Sequence, residues 1–414
     1  MTTLIVNIKQ LCGVRKETKL LRGKELAELP CIENAFLLIE NGIIAAFGKM
    51  DKLSKSELCC KNKIDAAQQF ILPAWCDSHT HLVFAANRDD EFVDKIKGLS
   101  YAEIAAKGGG ILNSANKLNA TSEEQLFELA WKRLEEVAQM GTGAIEIKSG
   151  YGLSVEGELK MLRVIKKLKE KSNLTIKATF LGAHTYPLAF KENHQGYIDL
   201  IINEMLTVIA KEKLADYVDV FCENGFFSPD ETEIICNAAK KFGLKTKLHA
   251  NQLSLSGGVE IGVKLNAISV DHLEKMDEKT IALLSNSNTI GTLLPTAAFF
   301  LQMPFQPARK LIDAGCAIAL ASDFNPGSSP SGNMNLVIAM SCIAMKMLPE
   351  EAINAATING AFAMELEKEL GSISVGKKAN LIFTKPISNL SLLPYSFGNN
   401  LIDKVMLNGE FISH

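Results

Sequence analysis

The chain has 414 residues, of which 47% are hydrophobic and 22% charged, with a formal net charge of -3. This length suits a large domain with a smaller one, and the composition is that of a globular protein able to bury a sizeable core. The balance of charge excludes a general basic surface for nucleic acid or anionic membrane. No run of about 18 apolar residues predicts a spanning helix, and residues 1–10 do not read as a signal peptide. Nine scattered cysteines form no paired CxxC framework, which predicts reduced, mostly buried thiols in a cytosolic protein.

In chain order, residues 1–66 alternate short apolar runs (4–6, 35–39, 43–47) with turns, a strand-and-hairpin pattern. The pattern returns over 371–414, at 371–373, 379–383 and 405–409. Two β-rich ends around a different middle predict one small sheet domain built from both termini. Between them, residues 67–370 carry eight short β-rich runs: 69–76, 143–148, 175–182, 217–222, 245–248, 267–270, 289–294 and 317–322. Amphipathic stretches such as 122–140 and 155–171 separate them. A βα alternation of this length predicts a parallel sheet with helices outside, and eight units fit a closed (β/α)8 barrel. A long insertion, 77–142, contains Asn87-Arg88-Asp89-Asp90-Glu91-Phe92 and Gly108-Gly109-Gly110. It either shapes a pocket on the active face or is a tolerated surface insertion.

The chemistry lies at strand ends. His79-Thr80-His81 follows the first run, and alternate residues of an extended segment point the same way, so both imidazoles can converge on one metal. His249 follows the fifth run, His272 the sixth and Asp323 the eighth, all on the C-terminal face where barrel enzymes place their sites. Five of the seven histidines (His79, His81, His184, His249 and His272) fall just after predicted strands. One such histidine is more often structural; five on one rim point to a site. Three imidazoles and a carboxylate suit Zn²⁺ or Fe²⁺ and disfavour Ca²⁺ or Mg²⁺. A bound metal lowers the pKa of water toward about 7, and Asp323 can both ligate and take a proton. His272 can polarise a substrate carbonyl or orient the water. Asp271 either orients His272 or is a solvated turn residue. Lys148 ends the second run. The fourth run ends at Glu223, which leaves a second ion open; one metal is the preferred reading.

These residues resemble the amidohydrolase superfamily and, within it, the imidazolonepropionases, over nearly the whole chain. The likeness rests on Asp77-Ser78-His79-Thr80-His81-Leu82-Val83-Phe84 with Asn87-Arg88, on Lys148-Ser149-Gly150-Tyr151-Gly152-Leu153, and on Thr179-Phe180-Leu181-Gly182-Ala183-His184. It continues in His249-Ala250-Asn251-Gln252-Leu253-Ser254, Asp271-His272-Leu273-Glu274 and Ser322-Asp323-Phe324-Asn325-Pro326-Gly327-Ser328-Ser329-Pro330. The resemblance implies a (β/α)8 barrel with a small β-sandwich made from both ends. It implies a cytoplasmic homodimer that hydrolyses 4-imidazolone-5-propanoate to N-formimidoyl-L-glutamate in histidine degradation, with one divalent metal, Zn or Fe. By the same resemblance His79, His81, His249 and Asp323 hold the metal. Arg88, Tyr151, His184 and Gln252 contact the substrate, and Asn325, Gly327 and Ser328 contact the opened form and its carboxylates.

Each assignment has a physical rationale and a plainer alternative. Arg88 offers a bidentate fork to the propionate, or is a loop arginine paired with Asp89, Asp90 or Glu91. Tyr151 offers a ring face and a hydroxyl, or packs at a turn. His184 bonds the ring or carboxylate, or caps structure. The turn at 325–329 exposes backbone N–H groups to a carboxylate, or is an ordinary Pro-Gly turn. Gln252 departs from amidohydrolases that carry Glu there and cannot act as a base, so proton transfer falls to Asp323 with help from His272. The rival readings are a different lactam hydrolase or nucleobase deaminase on the same metal site, and a non-catalytic relative, which would have lost its ligands.

Overall fold

A computed structural model describes residues 1–54, 60–99, 103 and 109–412; Cys59 and Gly108 lie outside them. The chain opens with β1 (Thr2–Cys12), β2 (Cys31–Glu40) and β3 (Ile43–Lys49), an antiparallel meander. Asn7 bulges out of β1 in the left-handed region at φ 56°. Its two halves then pair parallel with β4 (Asn62–Asp65) and β5 (Phe70–Pro73).

The barrel follows as β6 (Trp75–Thr80), β7 (Thr142–Lys148), β8 (Thr175–Ala183) and β9 (Tyr217–Cys222), then β10 (Lys245–Ala250), β11 (Ser269–His272), β12 (Ile290–Leu293) and β13 (Ile318–Leu320). These eight pair in chain order, every pair parallel. The ring closes beyond β13, where Asp323 N–H donates to His79 O (3.0 Å) and His81 N–H to Phe324 O (2.9 Å). The last strands, β14 (Leu381–Thr384), β15 (Ile402–Leu407) and β16 (Glu410–Phe411), join the first sheet in the order β16-β15-β14-β5-β1-β2-β3, with β4 on β1. This flanking sheet has a core of its own, including Ile5, Leu37, Ile71, Phe383 and Met406. A larger core lies between the barrel strands and their helices.

One predicted strand divides. The run 69–76 reads as the first barrel strand, but Phe70–Pro73 belongs to the flanking sheet, between β1 and β14. Pro73 carries no N–H for a ladder. Ala74 N–H then donates to Asn380 O and Trp75 N–H to Gly141 O, both at 2.9 Å, which hands the chain to the barrel. A boundary drawn at 66 therefore leaves β5 on the barrel side, whereas its hydrogen bonds lie in the flanking sheet. The fifth and sixth strands also run further than read: His249 and His272 lie inside β10 and β11 rather than after them.

The helices that brace the site start where polar caps stand. Ser122 and Ser154 accept from Gln125 N–H and Gly157 N–H at the heads of Glu123–Gln139 and Val155–Lys171. Each buries a stripe at helical spacing, Leu126-Ala130-Leu134-Val137 in the first and Met161-Ile165-Leu168 in the second. A fully buried Leu or Ile of this kind contributes about 1.5–3 kcal/mol. Among the described residues no helix is long and apolar enough to cross a membrane.

Candidate active site

Alternation along each barrel strand sends every second side chain to the interior. His79 on β6, Asp271 on β11 and His249 on β10 meet there, and His81 and Asp323 join them from the segments just past β6 and β13. All five are buried. His79 Nδ1 lies 2.6 Å from Asp271 Oδ2, and His249 Nδ1 lies 2.9 Å from Asp219 Oδ2. A carboxylate at Nδ1 fixes the proton there and leaves Nε2 as a lone pair. Burial, with Lys148 as the next cause, holds His79 well below the ordinary histidine range; burial, then His184, does the same to His81. Both imidazoles are therefore neutral, as ligands must be.

The Nε2 atoms converge. His249 Nε2 and His81 Nε2 are 3.4 Å apart, and Asp323 Oδ1 lies 3.5 Å from His79 Nε2 and 3.6 Å from His81 Nε2. Donors about 2.0–2.2 Å from a shared ion in a tetrahedral array stand about 3.3–3.6 Å from one another. His79 Nε2 is buried with no hydrogen-bond partner. Donor type, spacing and this unpaired nitrogen all fit a single divalent-metal site. His272 also brings a ring nitrogen within 4.8 Å of donor atoms of His79 and Asp323. Its Nδ1 lies 3.5 Å from Glu274 Oε1. Burial acts to lower the His272 pKa, but Glu274 and Asp323 outweigh it and raise it. Burial likewise raises the Asp323 carboxyl, against the pull of His272 and His249.

Backbone strain gathers here. His272 (φ 89°), Leu273 (φ 66°), Asp323 (φ 53°) and Asn251 (φ 54°) all occupy the left-handed region at C-terminal strand ends. Such conformations cost on the order of 1 kcal/mol or more each and persist where the surroundings over-determine them.

Around the donors, His184 stacks on His81 at 5.4 Å, and its Nδ1 lies 3.0 Å from Gly150 O. Desolvation and then His249 push it down to about 3. Nδ1 therefore carries the proton for Gly150 O, and Nε2 is an acceptor. Tyr151 is buried beside His81 and His184, at 5.9 and 5.6 Å between ring centroids. The Arg88 guanidinium lies 5.8 Å over the Tyr151 ring and donates through Nε to Ser114 Oγ at 2.8 Å. It also crosses the backbone of Gly327, where an added Cβ would meet Arg88 Nη1 at 2.5 Å. Gln252 is buried on the loop beyond β10.

Three readings of the sequence change. Asp271 orients His79, not its neighbour His272. Gly327 and Ser328 do not hold their N–H groups open: both donate to Asn325 Oδ1 at 2.8 Å, so Asn325 builds the turn from within. The Ser328 hydroxyl reaches Asp323 Oδ2 at 3.1 Å. Glu223 accepts from Asn224 N–H (2.9 Å), Leu253 N–H (2.8 Å), Ser254 N–H (3.3 Å) and the Ser254 hydroxyl. Its oxygens clamp the loop that carries Gln252.

Asp219, Lys148 as a network member, Glu158 and Glu274 were not singled out by their sequence positions. A signal existed: Asp219 interrupts the apolar run Tyr217–Cys222, and Glu146 with Lys148 interrupts β7. A charge inside a strand buried on both faces must be paired or functional.

The amidohydrolase family model matches residues 70–412. An imidazolonepropionase of Flavobacterium johnsoniae is 59% identical over 413 residues, covering 100% of both chains. The chain belongs to the imidazolonepropionases of the amidohydrolase family. An imidazolonepropionase of Christiangramia forsetii is 55% identical over 100% of both chains, and one of Thermoanaerobacter pseudethanolicus is 42% identical over 93% of this chain and 91% of its own. Among solved structures, Escherichia coli guanine deaminase (TM-score 0.74, 13% identity, 100% of this chain and 99% of that one) and a triazine hydrolase variant (TM-score 0.74, 15% identity, 99% and 94%) share the fold.

Proposed function

We propose that this chain hydrolyses the cyclic amide of 4-imidazolone-5-propanoate to N-formimidoyl-L-glutamate, a step of histidine degradation. The observation that carries this reading is full-length identity of 59% to an imidazolonepropionase. The convergent donor cluster agrees with it. His79, His81, His249 and Asp323 hold one divalent ion, Zn or Fe, which when bound acidifies water and polarises a carbonyl. Asp323, whose carboxyl burial raises against the pull of His272 and His249, takes the proton of the attacking water. The oxygen adds to the ring carbonyl, and His272, whose pKa Glu274 and Asp323 raise against burial, donates to the developing oxyanion. The ring C–N bond breaks, and the proton held by Asp323 passes to the leaving nitrogen. Arg88 pairs with the propionate, Tyr151 covers one ring face, and His184 Nε2 accepts from a ring N–H. Gln252 hydrogen-bonds the ring, while Asn325, Gly327 and Ser328 form the turn that borders the opened product, with the Gly327 and Ser328 N–H groups tied to Asn325 Oδ1.

A cytoplasmic location is supported by the cysteines, all of which are free thiols among the described residues. A homodimer rests on the family resemblance. The deciding assay is the loss of 4-imidazolone-5-propanoate absorbance with and without chelator. Metal-dependent loss is expected; a metal-loaded, folded protein without turnover would overturn the substrate assignment.

A further inference from the structure

Beneath the metal donors the barrel holds a second layer of charge. Lys148 ends β7 and is fully buried. Its Nζ stands 2.5 Å from Glu146 Oε1, 2.9 Å from Asp219 Oδ2 and 3.7 Å from Asp271 Oδ2. Lys247 Nζ, equally buried, pairs with the other oxygen of Glu146 and donates to Ser78 O at 2.9 Å. Thr179 Oγ1 completes the shell of Glu146 at 2.7 Å. Five charges are thus removed from water at the centre of the barrel. Desolvation of such groups costs several kcal/mol each, and apolar packing often serves stability as well. Stability alone therefore does not account for the layer.

Atom identities do. The Asp219 oxygen that Lys148 touches is the one that meets His249 Nδ1, and the Asp271 oxygen nearest Lys148 is the one that meets His79 Nδ1. One ammonium thus stands behind two carboxylate–imidazole pairs, on strands that flank β10 and reach across to β6. Without it, two buried carboxylates a few ångströms apart repel in a low-dielectric interior and turn away. We propose that Lys148 is a positioning residue for metal binding, tying Asp219 and Asp271 together so that His249 and His79 present their Nε2 lone pairs to one ion at the same time. This rests on the reading of the His–Asp cluster as a metal site.

The charge balance agrees. Glu146, Asp219 and Asp271 against Lys148 and Lys247 leave one net negative charge, Asp323 adds another, and a divalent cation neutralises both. Burial by itself would lower the Lys148 ammonium, yet Asp219, Glu146 and Asp271 outweigh it and hold it above the ordinary lysine range. It is a fixed cation, not a proton shuttle.

The test is Zn(II) affinity of the purified full-length protein, by competition with a chelating dye, together with the visible spectrum of the Co(II)-loaded form. Lys148→Met is expected to weaken Zn(II) binding about 10–100-fold and to shift the cobalt bands. Lys247→Met removes the same charge from the same layer but touches neither Asp219 nor Asp271, so its affinity stays within a few-fold of wild type. If Lys148→Met does not fold, the double variant Glu146→Gln/Lys148→Met, which removes one charge of each sign, is expected to show the same loss. Unchanged affinity in Lys148→Met or in the double variant overturns the proposal, as does equal weakening by Lys247→Met. A wild-type protein that binds neither ion overturns the metal reading itself, and this inference with it.

Discussion

Glu158→Gln probes how the substrate pocket is held. The Glu158 carboxylate is fully buried in the first turn of the helix Val155–Lys171. It accepts from Gly150 N–H at 2.9 Å on one oxygen, and from Gly152 N–H at 2.7 Å and Leu153 N–H at 2.9 Å on the other. Those donors belong to the loop that carries Tyr151 and offers Gly150 O to His184. The loop needs the clamp because Leu153 is held in the left-handed region at φ 49°. In the glutamine variant the amide oxygen keeps the Gly152 and Leu153 donors, while its NH₂ opposes Gly150 N–H. One buried donor left unsatisfied costs about 1–3 kcal/mol. Burial raises the Glu158 carboxyl, against the pull of its donors. Its contribution to stability is full below the unfolded value of about 4.3 and is lost as pH rises through the folded one. The expected net destabilisation of the variant is about 1–3 kcal/mol. Urea denaturation reads this. Displacement of Tyr151 and His184 should also raise KM about tenfold, equivalent to about 1.4 kcal/mol, with bound metal unchanged. Wild-type stability together with wild-type KM would refute the clamp.

Four other outcomes are expected. Gly327→Ala should raise KM about tenfold with little change in melting temperature, because its Cβ meets only the flexible end of Arg88; steady-state kinetics and calorimetry separate the two. Gly360→Ala should do the reverse, since its Cβ would stand 2.4 Å from the Cys76 backbone oxygen. Overpacking of that kind costs about 1–3 kcal/mol, and thermal unfolding would show it while metal content stays constant. Asp323→Asn should lower kcat about 10²–10⁴-fold in a folded protein, and retained turnover would remove Asp323 from proton transfer. Chelation should lower the melting temperature, because an ion at 1,000 times its Kd adds about 4 kcal/mol; an unchanged scan would count against the metal site.

Local pattern made the barrel and the rim readable. Strands buried on both faces show as short β-rich runs, and helices between them show as a 3.6-residue period. Chain order alone then puts His79, His81, His249, His272 and Asp323 at one end of a parallel sheet, because every strand runs the same way. The motif around Asp323 and the one around Tyr151 identify the family without coordinates. Other features were decided only when the ring closed. Apolarity cannot show that a single run, 69–76, serves two sheets, since the break at Pro73 depends on which edge each half meets. Nor can adjacency show that Asp271 serves His79, 192 positions away, rather than His272 beside it. Asp271 faces His79 across the barrel, while His272, turned at φ 89° at the end of the strand, meets Glu274 instead. Lys148, Asp219 and Asp271 form one unit for the same reason: hydrogen bonds between distant strands depend on which residues occupy the same level of the barrel, and that level is set by register and closure.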